Sequence, residues 1–157
     1  MVRVWHEPDG AVKITQFLEP DLKDRDCANL TAEGHVHPDS AFEDFDSLEA
    51  FRAVAPQNRK FRNCWEKAPG GGVHVNLVKA RAQRLDEIRT ERNQLLDASD
   101  KDVMKATDQG NTAALAGLQI YRQSLRDLPA TVAPALDALM TDSAIEAYAP
   151  EWPAAKA

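Results

Sequence analysis

Two histidines in an acidic stretch have the residue types and spacing of a metal site. His35 and His37 alternate along an extended segment, which places both imidazoles on one face, and Glu33 or Asp39 could serve as a further ligand. No third ligand has the fixed spacing that a metal site requires. An exposed loop with ordinary histidines is therefore the favoured interpretation, and a small metal- or ligand-binding regulatory module is the alternative function.

A thiol and another imidazole could meet across a predicted hairpin. Cys64 and His74 flank the stretch Pro69-Gly70-Gly71-Gly72, and an imidazolium beside a thiol favours the nucleophilic thiolate. No orienting third group or oxyanion donor accompanies them, so packing of Cys64 in the core is favoured. The glycine run lacks the Lys-Ser/Thr of a phosphate loop and precedes a strand. We therefore predict no catalytic, metal-binding or cofactor-binding residue, no cofactor and no enzymatic activity.

The bulk composition argues against several classes of protein. At 157 residues the chain has room for one ordinary domain, or for a small domain with a helical extension. The net charge of -6 argues against binding to nucleic acid, because duplex binding depends on cationic side chains that neutralise phosphates. The sequence has no apolar run of membrane-spanning length, and its start lacks the apolar core of a signal peptide. We therefore expect a cytoplasmic protein with no nucleic-acid or membrane partner.

Two β-hairpins are predicted in the first half of the chain. Alternating apolar residues flank the turn Pro8-Asp9-Gly10 within residues 2–18, and a similar pattern flanks the glycine run within residues 61–77. The acidic residues 19–46 show no periodicity and are expected to form an irregular insertion. A capping-box pattern from Asp46 to Glu49 predicts a short helix over 47–54. Residues 1–77 are thus predicted to form a small β-rich domain.

Residues 78–128 are predicted to form a helical hairpin. Apolar residues recur at three- and four-residue steps, and one helix from 77 to 108 is favoured over two shorter ones. Gly110 suits a left-handed helix end, and Asn111 or Thr112 can cap the returning helix of 112–127. Pro129 is expected to end that helix.

The remaining residues, 129–157, are predicted to form a C-terminal tail. Their Ala- and Pro-rich sequence allows a short helix at about 134–147, and the last residues, 154–157, are expected to be frayed. The predicted fold class is therefore α+β, with a small antiparallel β unit of two hairpins followed by a long helical hairpin.

The first predicted helix carries a narrow apolar stripe, which is closer to a coiled-coil seam than to the face of a globular core. The stripe is too long for the small β unit to cover, so part of it is expected to contact another chain. Tyr and Arg side chains are frequent anchors of interfaces, and both occur in the returning helix. The residues predicted to contact a partner are Leu85, Ile88, Arg92, Leu95, Tyr121, Arg122 and Arg126.

Three stretches and a C-terminal dipeptide carry a family resemblance. They are Arg59-Lys60-Phe61-Arg62-Asn63-Cys64-Trp65, Val78-Lys79-Ala80-Arg81, Tyr121-Arg122-Gln123-Ser124-Leu125-Arg126-Asp127-Leu128-Pro129 and Trp152-Pro153. In this order and spacing they resemble small tail proteins of double-stranded DNA phages, termed tail assembly chaperones or tail fibre assembly proteins. Cys64 stands where that pattern usually has Ala, and residues 19–55 lie outside the resemblance.

The resemblance implies a non-enzymatic phage tail or tail-fibre accessory protein that binds other tail polypeptides. Such a protein is either a transient chaperone in the host cytoplasm or a fibre-associated component of the virion tail. Phage tail or tail-fibre proteins are the implied partners. Homo-oligomers and hetero-oligomers both remain open, and the narrow stripe, with the trimeric habit of phage fibres, motivates the hypothesis of a trimer.

Overall fold

The computed structural model describes residues 1–154 and divides the chain into two units, Met1–Leu77 and Val78–Ala157. Antiparallel strands dominate the first unit, and long helices make up the second. This arrangement confirms the predicted α+β class. No helix within the described residues is long and apolar enough to cross a membrane.

A three-stranded antiparallel sheet forms the centre of the first unit. Its strands in spatial order are β2 (Val12–Gln16), β1 (Val2–His6) and β3 (Ala41–Phe45). β1 and β2 form the first predicted hairpin, with Val4 opposite Ile14. In its turn Gly10 has a φ of 83°, which glycine adopts without a steric clash. All five residues of the central strand β1 are buried.

The prediction that residues 19–46 form an irregular insertion is wrong. The segment contains a 3-10 turn at Pro20–Leu22, the helix α1 (Lys23–Ala32) and strand β3, which pairs with β1 along its whole length. No residue of α1 is fully buried, so its sequence did not need the apolar stripe by which helices are recognised. β3 is specified by its pairing with a distant strand, which local periodicity does not reveal.

The second predicted hairpin is present but short. Its strands are β4 (Trp65–Lys67) and β5 (Val73–Val75). Gly71 and Gly72 in the connecting loop have φ values of 95° and 70°, so this loop needs glycine.

The short helix predicted over 47–54 is confirmed as α2 (Leu48–Val54). Its cap is Ser47, whose hydroxyl accepts a hydrogen bond of 3.0 Å from the amide of Ala50. The helix contributes Phe51 to the core of the first unit, where its ring lies edge-on to those of Phe45 and Trp65, at 5.4 and 6.4 Å. Aromatic packing therefore joins α2 to the strands.

The second unit is built on two long helices, α3 (Leu77–Asp108) and α4 (Thr112–Asp137). The favoured single helix from 77 to 108 is confirmed. Gly110 follows α3 with a φ of 62°, and the side-chain oxygen of Asn111 caps α4 by accepting a hydrogen bond of 3.0 Å from Ala114. The short connection returns the chain antiparallel, as predicted.

The prediction that Pro129 ends the returning helix is wrong. α4 continues to Asp137 and includes both Pro129 and Pro134. A proline inside an isolated helix costs about 3 kcal/mol, because it removes a backbone hydrogen bond and crowds the preceding turn. The residues around Pro129 are buried against α3, and this burial offsets the cost: Leu128, Val132 and Leu136 form one cluster with Ile88.

The predicted C-terminal helix is shorter than expected. Residues 134–137 belong to α4, and a separate helix α5 covers Asp142–Ala147, with the hydroxyl of Thr141 as its cap. The end of the chain was predicted to be frayed at 154–157. Residues 155–157 of this range lie outside the described part of the chain.

Candidate partner-binding surface

The two histidines considered as metal ligands are both exposed. Nε2 of His35 lies 3.3 Å from a carboxylate oxygen of Glu33, and Nδ1 of His37 accepts a hydrogen bond of 3.1 Å from the amide of Asp39. Across residues 1–154 there is no group of three or more His, Cys, Asp or Glu side chains that could hold a metal ion. The local contacts of these histidines are those of a surface loop.

Cys64 and His74 differ in exposure, and Cys64 precedes the first strand of the second hairpin. The Cys64 side chain is buried, as favoured from the sequence, whereas His74 is exposed and lies opposite Glu66 in the strand register. Neither Cys64 nor Cys27 is in a disulfide bond. The geometry of a thiolate and imidazolium site is therefore missing at these two residues.

A buried guanidinium makes several polar contacts in the first unit. Arg3 donates two hydrogen bonds to Asp44, of 2.6 and 2.7 Å, and a third of 3.2 Å to the sulfur of Cys27. Its charged group also lies 3.7 Å from the centre of the Phe42 ring. The hydrogen bonds from Arg3 lower the pKa of Asp44 below its usual value. These partners satisfy Arg3, so its role is to hold β3 and α1 against β1.

His6 is the second buried polar side chain that the sequence analysis missed. Its Nε2 lies 3.3 Å from an oxygen of Glu43 without hydrogen-bond alignment, so both ring nitrogens lack a hydrogen-bond partner among the described residues. Burial lowers the pKa of His6 and favours its neutral form. Glu43 also accepts a hydrogen bond of 2.6 Å from the amide of Gly72 and so ties the glycine-rich loop to β3.

In the second unit, two of the seven predicted contact residues serve the fold itself. Ile88 is completely buried in the cluster with Leu128, Val132 and Leu136. Ile88 therefore has no exposed surface in this conformation, and its contact with a partner stays a prediction. Arg122 is turned toward α3.

Arg122 connects the two long helices. One nitrogen of its guanidinium donates to the carbonyl of Leu96 at 3.0 Å, and to the hydroxyl of Ser99 and the carboxylate of Asp100, each at 2.5 Å. Its side chain is only 20% exposed. Arg122 therefore has little exposed surface for a partner, because its guanidinium donates hydrogen bonds to groups of α3.

Leu95 and Tyr121 face an open groove. The groove has a volume of about 460 Å³, and we call it the tyrosine groove; its lining residues are Glu91, Gln94, Leu95, Tyr121, Trp152 and Pro153. Arg84 donates hydrogen bonds of 2.9 and 3.2 Å to the carbonyl of Tyr148, which holds the segment before Trp152 along α3. Trp152 is not among the seven predicted contact residues, although the Trp152-Pro153 dipeptide was a signal for it.

A second groove lies on the other side of α3. It has a volume of about 290 Å³, and we call it the leucine groove; its lining residues are Val78, Arg81, Ala82, Leu85, Ala133, Leu136 and Asp137. Ala82 and Glu91 are nine residues apart, about two and a half helical turns, so the two grooves are on opposite sides of α3. Leu85 packs partly against the Ile88 cluster and partly lines this groove.

The last two predicted contact residues are accessible arginines. Arg126 is exposed, and Arg92 is partly exposed. Arg92 donates a hydrogen bond of 3.0 Å to the side-chain oxygen of the neighbouring Asn93. Arg92 and Arg126 are therefore accessible on the helical unit in addition to its apolar grooves.

Comparison with known proteins gives one match. The sequence model of the phage tail assembly chaperone protein family matches residues 85–155, which is just under half of the chain. The match includes Tyr121–Pro129 and Trp152-Pro153, whereas the stretches 59–65 and 78–81 lie before it. No curated protein and no solved structure shows significant similarity to the chain.

The matched residues begin within α3 and include α4, α5 and both aromatic residues of the tyrosine groove. The sequence pattern of the family and the accessible grooves therefore belong to the same unit. The resemblance stated from the sequence is confirmed over this region, since residues 85–155 match the sequence model of the phage tail assembly chaperone protein family.

Proposed function

We propose that this chain is a non-enzymatic accessory protein of phage tail assembly that binds other tail polypeptides through its helical hairpin. The observation that supports the proposal is the coincidence of the family match with an open groove lined by Tyr121 and Trp152. Tyr and Trp are enriched among the residues that dominate binding energies, because they bury a large area at a small entropic cost.

Leu95 adds an aliphatic side chain to the lining that contains these aromatic residues. Because all three side chains retain exposed surface, a partner segment with an apolar side chain could bury them further and gain about 25 cal/mol for each Å² removed from water. Glu91 and Gln94 at the edge would give the polar rim that interfaces usually have.

The direct test is co-expression of the full chain with the tail genes that neighbour its own, followed by affinity purification. We expect at least one tail polypeptide to co-purify with the wild-type chain, and Tyr121→Ala with Leu95→Ala to weaken this association at least tenfold. The matched control carries Met104→Ala and Ile120→Ala, which remove exposed apolar side chains outside the groove. Failure of any tail polypeptide to co-purify with the wild-type chain would refute the proposal.

Mass spectrometry of purified virions separates the two modes of action. A transient chaperone acts in the host cytoplasm and is absent from virions, whereas a fibre-associated component is present at a stoichiometric copy number. We propose the chaperone, since the family match carries that description. Detection of the chain in virions in proportion to a tail protein would instead establish the structural component.

The trimer hypothesis is tested separately by light scattering of the purified chain. A narrow apolar seam can be covered by further copies of itself, as in coiled coils. A mass near three times 17.4 kDa would support the trimer. A stable monomer would exclude homotrimerisation and leave assembly with a different tail polypeptide as the oligomeric form.

A further inference from the structure

The leucine groove has the shape of a site for a third helix. It lies between the first turns of α3 and the last turns of α4, and its lining is mainly aliphatic. Val78 at its edge is 70% exposed. Two adjacent antiparallel helices leave a furrow along their contact line, into which the side chains of another helix can pack.

Beyond the groove, the same face of the hairpin carries Arg92 and Arg126, whereas Arg81 in the groove lining donates a hydrogen bond of 3.2 Å to the carbonyl of Leu139. Arg92 follows Leu85 by seven residues, and Arg126 precedes Ala133 by seven residues, so each shares a helix face with a residue that lines the groove. The face therefore continues from an aliphatic end, at Leu85 and Ala133, to a basic end.

The basic end lacks carboxylate partners for these two arginines. The nearby cations Arg89 and Arg122 form ion pairs with Asp86 and Asp100. Arg92, by contrast, donates to an Asn side chain, and Arg126 has no hydrogen bond or ion pair with any described residue.

The carboxylate nearest to this surface in the groove lining is Asp137. It follows Ala133 by one helical turn, in the direction away from Arg126. This charge distribution is complementary to a ligand whose apolar side chains contact the leucine groove and whose negative charges contact Arg92 and Arg126.

We propose that the leucine groove and the adjacent Arg92 and Arg126 bind an amphipathic helix of a tail polypeptide whose apolar face is flanked by Asp or Glu. Carboxylates accept paired hydrogen bonds from guanidinium groups, and their pairing fixes the register of the bound helix. This inference rests on the proposed function and adds the chemical class of the partner.

The test uses the full chain and two synthetic helical peptides of about 20 residues, a length at which helices form in water. Both peptides have the same Leu and Ala stripe, and their flanking positions are all Glu in one and all Lys in the other. Fluorescence anisotropy should show binding of the Glu peptide about tenfold tighter than that of the Lys peptide. The difference should shrink at high salt, which screens exposed charges.

Variants identify the residues responsible. Arg92→Gln with Arg126→Gln should abolish the preference for the Glu peptide, and Arg92→Glu with Arg126→Glu should reverse it. The control, Lys101→Glu with Lys105→Glu, makes the same change in net charge at exposed positions nearer the end of α3 and should keep the preference. Circular dichroism confirms that each variant retains its helices.

Equal binding of the two peptides, or an unchanged preference in the Arg92→Glu and Arg126→Glu variant, would overturn the inference. Absence of binding to either peptide would overturn it as well. The proposed function fails by a different result, since it requires only that the wild-type chain captures a tail polypeptide. If the charge-reversal variant captures that polypeptide as well as the wild-type chain does, the function stands and the inference falls.

Discussion

The two units of this chain bury their side chains in different ways. In the first unit, the buried residues Arg3 and His6 lie on the central strand β1, among aromatic and aliphatic neighbours. In the second unit, the cluster around Ile88 is made of aliphatic side chains from two helices, and grooves remain open on both sides of α3. A buried charge tolerates few alternative arrangements, whereas an aliphatic seam can accept additional apolar partners.

This difference has a consequence for function. The first unit satisfies its central guanidinium with Asp44 and Cys27, and its open cavity of about 480 Å³, between β2 and α1, lies outside the family match. The second unit carries the tyrosine groove and the accessible Arg92 and Arg126 within the region of the family match. The binding role that we propose for the helices rests on this match, and variants of each unit test whether the two units depend on these different interactions.

The largest effect is expected for Ile88→Ala in the helical unit. The substitution removes aliphatic volume from a completely buried site and should lower the free energy of unfolding by about 3 kcal/mol. Urea denaturation followed by circular dichroism measures the change. Val78→Ala, at a side chain that is 70% exposed, is the control and should change stability by less than about 0.5 kcal/mol. Equal effects at both positions would contradict the assignment of Ile88 to the core.

Asp44→Ala should destabilise the first unit by about 2 kcal/mol. It leaves the buried Arg3 guanidinium without its carboxylate, and the partial exposure of Asp44 reduces the cost below that of a fully buried pair. Hydrogen exchange of the amides of Val2–His6, followed by NMR, reports on this unit alone. Asp46→Ala, at an exposed carboxylate nearby, should leave the exchange rates unchanged. Unchanged exchange in Asp44→Ala would show that Arg3 is satisfied in another way.

Arg122→Ala should cost the hairpin about 1 kcal/mol, because it removes hydrogen bonds from Leu96, Ser99 and Asp100 at a partly exposed site. Arg126→Ala, at an exposed arginine on the same helix, should not change stability measurably. Binding to the Glu peptide should show the opposite order, with Arg126→Ala weakening it more than Arg122→Ala does. Stronger destabilisation by Arg126→Ala than by Arg122→Ala would contradict the distinction between Arg122, which is bonded to α3, and the exposed Arg126.

The smallest effect is the pH dependence that His6 contributes. Since burial lowers the pKa of His6 in the folded state, the unfolded chain binds a proton first as the pH falls below about 6.5. The free energy of unfolding should therefore decline as the pH falls from about 6.5 to the pKa of His6 in the folded state. The charge of Lys67 also lowers this pKa, whereas Glu43 raises it. His6→Phe should flatten this part of the urea midpoint profile. The contribution of Asp44 to the free energy of unfolding is separate. Because the pKa of Asp44 is lowered in the folded state, this contribution is lost only below about pH 4.

Local signals in the sequence were sufficient for the long helices and the two hairpins. Three- and four-residue spacing, Gly110 and Asn111 located the helical hairpin, and glycine-rich turns located the strand pairs. They were insufficient where an element depends on a distant partner. Strand β3 exists because β1 pairs with it, and α4 continues through Pro129 because Ile88 and its neighbours cover that part of the helix.

The sequence by itself determined the class of the fold, the position of the helical hairpin and the family resemblance, because each depends on local periodicity or on the order of motifs along the chain. Only the tertiary structure decided what each candidate side chain does. Ile88, Arg122, Leu95 and Arg126 were all predicted as contact residues. The packing of α4 on α3 buries Ile88 and turns Arg122 toward α3, whereas Leu95 lines a groove and Arg126 is exposed. Helical spacing states which residues share a face, and only the docked partner helix determines which part of that face remains for another chain.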